Sequence, residues 1–161
     1  MLRILAVIGG VSGAAGLSQF PEFSQQYLQR LAGKVDALSA VVADFDASAD
    51  KNGLTREAAL AEVSGTPFLN DRQQDLRRSF ADHTRLSADL AQLRAATPLQ
   101  RLTMPQRMGD LDTLQAAWAD YRPAVPATMD GAITAGIGYI SGWGVMAAVL
   151  SMLAWPFRRR A

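Results

Sequence analysis

Hydrophobic residues divide the 161-residue chain into two apolar runs and an amphipathic middle. The first run, residues 4–21, contains 18 residues without a charge, and the second, residues 131–157, contains 27. A helix rises about 1.5 Å per residue, so roughly 20 residues cross the ~30 Å hydrocarbon layer of a bilayer. Both runs are therefore predicted to be transmembrane helices.

The middle of the chain has the apolar spacing of paired helices. A 3-4-3-4-3 pattern, which is typical of a coiled-coil seam, occurs at Leu28, Leu31, Val35, Leu38, Val42 and Phe45. Helices are predicted over residues 21–49, 55–63, 67–96 and 105–121. The first and third match in length, which favours an antiparallel hairpin with the short helix near its tip.

The predicted seam leads to different expected effects of two substitutions on stability. Leu38 lies on the seam, so Leu38→Asp should cost several kcal/mol through burial of an unpaired charge. Lys34 lies beside the seam, and Lys34→Asp should cost less than ~1 kcal/mol.

Turn residues mark where these helices begin. Thr66-Pro67 and Thr97-Pro98 each combine an N-cap residue with proline at the first helical position. Gly53 allows a left-handed turn after the first long helix, and Thr55 caps the short helix that follows.

The predicted fold is all-α, with two transmembrane helices flanking an extramembrane antiparallel helical hairpin or small helical bundle. We expect a transmembrane helix over residues 1–20, a helical domain over 21–126, a second transmembrane helix over 127–157, and a basic tail over 158–161. No cysteine is present, which excludes disulfides, thiolate metal sites and cysteine nucleophiles.

Basic residues flank the two spans. Arg3 precedes the first, and Arg158, Arg159 and Arg160 follow the second, which predicts both termini in the cytoplasm and a periplasmic middle, hence the bacterial inner membrane. Aromatic residues expected at the outer headgroups include Phe20, Phe23, Tyr27, Trp118 and Tyr121. A cleaved signal peptide is the alternative for the first segment, but no A-x-A cleavage site is present, so retention is favoured.

Small residues are concentrated in the spans, which hold nine of the thirteen glycines. They form the spaced pairs Gly9/Gly13, Ser12/Gly16, Gly138/Gly142 and Gly144/Ala148, which allow close backbone approach. We expect Gly9, Gly13, Gly16, Gly138, Gly142 and Gly144 to pack helices, either within one chain or between chains. The alternative is incidental use, since glycine is common in membrane helices.

Two aromatic residues, Tyr139 and Trp143, lie nearer the centre of the second span than its ends. A contact with a partner helix or with lipid would explain them, and so would packing within the protein.

The sequence offers little catalytic chemistry. The segment at residues 46–57 resembles a calcium loop, but Lys51 occupies the position that requires glycine, which favours a solvated turn. His83, the single histidine, lies on an apolar stripe and is interpreted as a core or interface residue. Neither apolar run contains Asp, Glu, Lys, Arg or His, which disfavours a transporter. Neither an enzymatic activity nor a cofactor is predicted, and the mixed charges give no case for nucleic acid.

The stretch GLSQFPEFSQQYLQRLAGKVDAL at residues 16–38, with the two-span layout, resembles a family of uncharacterised proteobacterial membrane proteins, the domain of unknown function 2937. The resemblance implies an inner-membrane protein with a helical exported domain. Within this motif, Gln26, Tyr27, Gln29 and Arg30 are a candidate contact surface, although a polar helix face would explain them equally.

These observations predict a small inner-membrane scaffold or accessory subunit that interacts with another membrane component through its helical domain and its Gly-rich spans. Its expected partners are the lipid bilayer and either another membrane protein or a second copy of itself. The alternative is a periplasmic ligand-sensing module that acts through a partner, because span, helical bundle and span is also the layout of bacterial receptor input domains.

Overall fold

A computed structural model describes residues 2–123 and 128–158, and these two ranges contain helices and turns but no strand. Their α-helices are α1 (Leu2–Ser18), α2 (Phe20–Lys51), α3 (Arg56–Glu62), α4 (Pro67–Ala95), α5 (Pro98–Arg101), α6 (Leu111–Ala119) and α7 (Met129–Arg158). The predicted all-α class is confirmed. The predicted basic tail lies outside the described residues beyond Arg158, as do residues 124–126 of the predicted helical domain.

Two helical stretches are long and apolar enough to cross a membrane, one that runs from Arg3 through α1 into α2 and one over Met129–Leu153 of α7. The helix α1 by itself has 17 residues, roughly 26 Å at the helical rise, and α7 has 30, roughly 45 Å. Large apolar side chains such as Ile8 and Ile140 are exposed on them. Such surfaces are suited to hydrocarbon rather than water.

The predicted helix starts are confirmed by their caps. The hydroxyl of Thr66 accepts a hydrogen bond from the backbone N–H of Leu69, just before α4 begins at Pro67. Thr97 forms a reciprocal capping box with Gln100 at the start of α5. Thr55 caps α3, and Gly53 before it has a φ of +69°, a left-handed conformation that favours glycine.

Packing divides the chain into two compact units. The anchor unit comprises residues up to 26, 96–104 and 118 onwards, and it contains α1, α5 and α7. The hairpin unit comprises residues 27–95 and 105–117. This division does not fall at the ends of the apolar runs, because short segments of the predicted helical domain pack with α1 and α7.

In the hairpin unit, α2 and α4 are antiparallel, since residues later in α2 meet residues earlier in α4. The Oγ of Ser39 lies 2.9 Å from Nε2 of His83, and the same hydroxyl donates to the carbonyl of Val35 at 2.8 Å. Further along α2, the ring of Phe45 lies 5.2 Å from that of Phe80, edge to face. His83 is therefore a half-buried packing residue.

The seam of α2 is buried at most of its predicted positions. Leu31 has no exposed surface, and Val35 and Val42 are also buried, whereas Leu38 is partly exposed. Val42 joins Phe80 and Leu60 of α3 in a buried cluster. The short helix thus contributes to the core of the hairpin unit.

The predicted continuous helix over residues 105–121 is wrong. A 3-10 turn covers Pro105–Met108, and α6 begins only at Leu111. Between them, Asp110 accepts a hydrogen bond from the backbone N–H of Thr113 at 3.2 Å. This is the geometry of an N-cap, so the chain ends one helical turn and begins a new helix.

The premise behind the mild effect expected of Lys34→Asp is also wrong. The Nζ of Lys34 lies 2.8 Å from Oδ2 of Asp110 and 3.6 Å from Oδ2 of Asp112. An aspartate at position 34 would therefore replace two attractions with repulsion between carboxylates.

Candidate functional site

The helices α1 and α7 cross at a point where both helices have glycines in contact. A β-carbon built on Gly9 would lie 2.9 Å from the carbonyl oxygen of Gly142, and one on Gly13 would lie 3.2 Å from the Cα of Gly142. A β-carbon on Gly138 would lie 3.0 Å from the Cα of Ala14. Backbones this close leave little or no room for side chains. We call Gly9, Gly13, Gly138 and Gly142 the four-glycine crossing.

Larger side chains close the crossing at its sides. The ring of Tyr139 lies 2.8 Å from the position of a β-carbon on Gly10, and the Cβ of Met146 lies 2.7 Å from the position of one on Gly9. Tyr139 therefore packs within the chain, which is one of the two readings left open by the sequence. Trp143 is 46% exposed on α7.

The other two predicted packing glycines have a different environment. A β-carbon on Gly16 or Gly144 would have no neighbouring atom within 4 Å. The structure thus gives these two glycines no part in the four-glycine crossing.

A cavity of about 520 Å³ opens in the anchor unit at the C-terminal end of α1. Its main lining residues are Gly16, Leu17, Phe20, Phe23, Trp118 and Tyr121. This volume falls within the range of roughly 300–1,000 Å³ that is usual for small-molecule sites. We call it the aromatic cavity.

Three aromatic rings build the wall of the aromatic cavity. The ring of Phe23 lies 5.8 Å from that of Trp118 and 5.7 Å from that of Tyr121, both edge to face. The hydroxyl of Tyr121 donates to Oε1 of Gln19 at 2.9 Å, and burial raises the pKa of this hydroxyl. Trp118 is 70% exposed, so the wall has an open apolar edge.

The predicted contact surface on α2 is only partly at the surface. Gln29 and Arg30 are exposed and Gln26 is half-buried, but Tyr27 has no exposed surface. The prediction for Tyr27 is wrong because its side chain lies one turn from Leu31, on the helix face that is buried in the hairpin unit.

A buried ionic contact holds the start of α6 in the hairpin unit. The side chain of Asp110 is 8% exposed and accepts hydrogen bonds from Lys34, from the backbone N–H of Thr113 and from the Thr113 hydroxyl. Arg85 of α4 adds a second cation, with Nη2 at 3.7 Å from Oδ1. Asp110 therefore joins residues of α2, α4 and α6.

Replacing Asp110 with asparagine should lower the free energy of unfolding by about 1.5–3 kcal/mol near neutral pH, because hydrogen bonds to a charged group are lost. Burial opposes ionisation of Asp110, but the bonds from Lys34 and Thr113 outweigh it and lower its pKa from 3.8. A lowered folded-state pKa stabilises the fold above the unfolded pKa and loses this effect as pH falls through the folded value.

The measurement is urea unfolding of the full-length chain in detergent, followed by circular dichroism from pH 7 to pH 3. The difference between parent and variant should shrink as the pH falls below 3.8. Asp112→Asn is the matched control, because Asp112 also faces Lys34 but its side chain is 91% exposed, so its loss should cost less than ~1 kcal/mol. Equal losses in the two variants would contradict a special role for Asp110.

The sequence indicated the aromatic cavity and the Asp110 contact only faintly. The aromatic residues were expected at one membrane interface, but nothing in their spacing showed that they meet. For Asp110, the signal is the Gly109-Asp110 pair, a helix stop followed by a good N-cap residue. Both features depend on contacts between distant parts of the chain.

These features define an all-α protein with two helices of membrane-spanning length that cross through glycines. The chain belongs to the family described as protein of unknown function (DUF2937), whose family model matches residues 1–159. The family resemblance seen in residues 16–38 is thereby confirmed. Neither the curated proteins nor the solved structures give a match to this chain.

Proposed function

We propose that this protein is a non-enzymatic scaffold or accessory subunit of the bacterial inner membrane, which binds another membrane component through its helical domain. The four-glycine crossing is the observation that carries this proposal. It joins α1 and α7 by direct backbone contact, the kind of packing that holds helices together where no hydrophobic force drives association. The pair is thus suited to serve as a membrane anchor.

The four-glycine crossing also limits the positions at which a partner helix is expected to bind. Its glycines are already occupied within the chain, so a partner helix is not expected at Gly9, Gly13, Gly138 or Gly142. Exposed positions are better candidates. They are Gln29 and Arg30 on α2 and Trp143 on α7.

The proposed topology follows from the basic residues. Arg3 lies at the start of α1 and Arg158 at the end of α7, and basic residues next to spans favour the cytoplasmic side. The hairpin unit is then periplasmic, and the lipid bilayer surrounds α1 and α7. A reporter that is active only in the cytoplasm should give signal when fused to Ala161; a signal only from a periplasmic reporter would contradict this topology.

Site-specific photocrosslinking in cells tests the scaffold function. With benzoylphenylalanine at Gln29 or Trp143, we expect one membrane protein to be captured at both positions and to co-purify in fixed stoichiometry with the unmodified chain. Gln74, which is exposed on α4 outside the proposed contact positions, serves as the control and should give no such adduct. Adducts between two copies of the chain would assign the surface to self-association. No adduct at either position would contradict the scaffold function.

Ligand sensing is the second candidate function, and the aromatic cavity favours it because its volume suits a small molecule. A sensor would bind its ligand itself and act through a partner that does not co-purify with it in fixed stoichiometry. Saturable binding of a small molecule to the purified chain, with no captured membrane protein, would favour this function over the scaffold.

A further inference from the structure

We propose that the aromatic cavity binds an acyl chain of a membrane phospholipid. The cavity lies at the C-terminal end of α1, and its aromatic lining side chains are Phe20, Phe23, Trp118 and Tyr121. The proposal rests on the membrane placement of α1 and not on the identity of a protein partner.

The side chains that line the cavity favour a hydrocarbon ligand. None of the eight residues that line the cavity carries a charge. The two with polar side chains, Gln19 and Tyr121, are hydrogen-bonded to each other at 2.9 Å. A polar metabolite or a phosphate headgroup would lose its hydration without gaining a charged partner, whereas an acyl chain loses only contact with water.

The position of the cavity, at the end of a proposed transmembrane helix, would bring it close to the acyl chains of the bilayer. Exposed apolar side chains, among them Ile8 and Val11, cover α1, which ends at Ser18 beside the cavity. A lipid lying against this helix is therefore close to the cavity. Trp118, at the open edge, is the kind of residue that is enriched where hydrocarbon meets headgroups.

Gly16 offers a position from which the cavity can be filled. A β-carbon at this position would have no neighbouring atom within 4 Å, although Gly16 is one of the residues that line the space. A phenylalanine here would have room at its β-carbon, and we expect its ring to fill part of the cavity. Gly16→Phe is therefore a means of filling the site while preserving the fold.

The test uses the full-length chain in phosphatidylcholine vesicles that contain a phospholipid with a photoreactive diazirine on its acyl chain. After irradiation, labelled residues are mapped by mass spectrometry. We expect labels on Phe23 and Trp118 as well as on Ile8, which faces outward from α1. Gly16→Phe should abolish the labels on Phe23 and Trp118 and retain that on Ile8.

Gly144→Phe is the matched control, because it makes the same enlargement at another glycine with open space around it and should leave all three labels unchanged. Labelling of Ile8 without Phe23 and Trp118 would overturn the acyl site while leaving the membrane placement intact. Undiminished labelling of Trp118 in Gly16→Phe would show that the indole meets bulk lipid, and would also overturn the site. No label on Ile8 would overturn the membrane placement, and the acyl site with it.

A second copy of the chain is the competing occupant. Benzoylphenylalanine at Trp118 would then give dimeric adducts, and the acyl label on Phe23 would be missing. That combination would overturn the lipid proposal in favour of an interface between copies.

Discussion

Replacing Gly138 with leucine is expected to separate α1 from α7 and to lower the thermal stability of the full-length chain in detergent. Gly138 lies against the backbone of Gly13 and Ala14, where a β-carbon would already be only 3.0 Å from the Cα of Ala14. Backbone cannot rotate away as a side chain can, so the helices must move apart. Overpacking usually costs about 1–3 kcal/mol, and we expect the upper end or more here.

Gly136→Leu is the control for this prediction. It makes the same change two residues earlier in α7, where a β-carbon would have no neighbour within 4 Å. Its melting curve, followed by circular dichroism, should match the parent to within ~0.5 kcal/mol. If the two variants melt alike, the four-glycine crossing does not stabilise the protein.

Replacing Phe80 with alanine is expected to cost about 3–5 kcal/mol, the usual loss when a large buried aromatic side chain is removed. Phe80 is 8% exposed and packs with Val42 and Leu60, and its ring meets that of Phe45. The loss should appear as faster hydrogen–deuterium exchange in peptides from α2 and α4 of the full-length chain. Exchange is measured rather than tryptophan fluorescence, because all three tryptophans lie outside the hairpin unit.

Phe68→Ala is the control variant, and it distinguishes the effect of burial from the effect of removing a phenylalanine side chain. It removes the same side chain from the same helix, but Phe68 is 69% exposed, and the substitution should cost less than ~1 kcal/mol. Equal acceleration of exchange in both variants would mean that the cluster around Phe80 adds nothing to the core.

Local signals predicted the helices well. Threonine caps, prolines at first positions and Gly53 act over three or four residues, so the starts of α3, α4 and α5 could be predicted from the sequence. Apolar length likewise identified α1 and α7. The break before α6 was missed because Gly109-Asp110 is a weak signal within an otherwise periodic segment.

Contacts over long sequence distances could not be predicted in the same way. Four spaced pairs of small residues looked equivalent, and only the packed helices distinguish Gly9, Gly13, Gly138 and Gly142 from Gly16 and Gly144. The salt bridge of Lys34 was missed because its partner, Asp110, is 76 residues away. The aromatic cavity depends on an approach between Phe23 and Trp118, which no local pattern specifies.

The contact between Ser39 and His83 fixes where the ring carries its proton. A serine hydroxyl has one hydrogen, and that of Ser39 is donated to the carbonyl of Val35. The Ser39 oxygen can then only accept from the imidazole, so neutral His83 carries its hydrogen on Nε2 and leaves Nδ1 as an acceptor. The bond between α2 and α4 at this point therefore runs from the imidazole of α4 to the serine oxygen of α2.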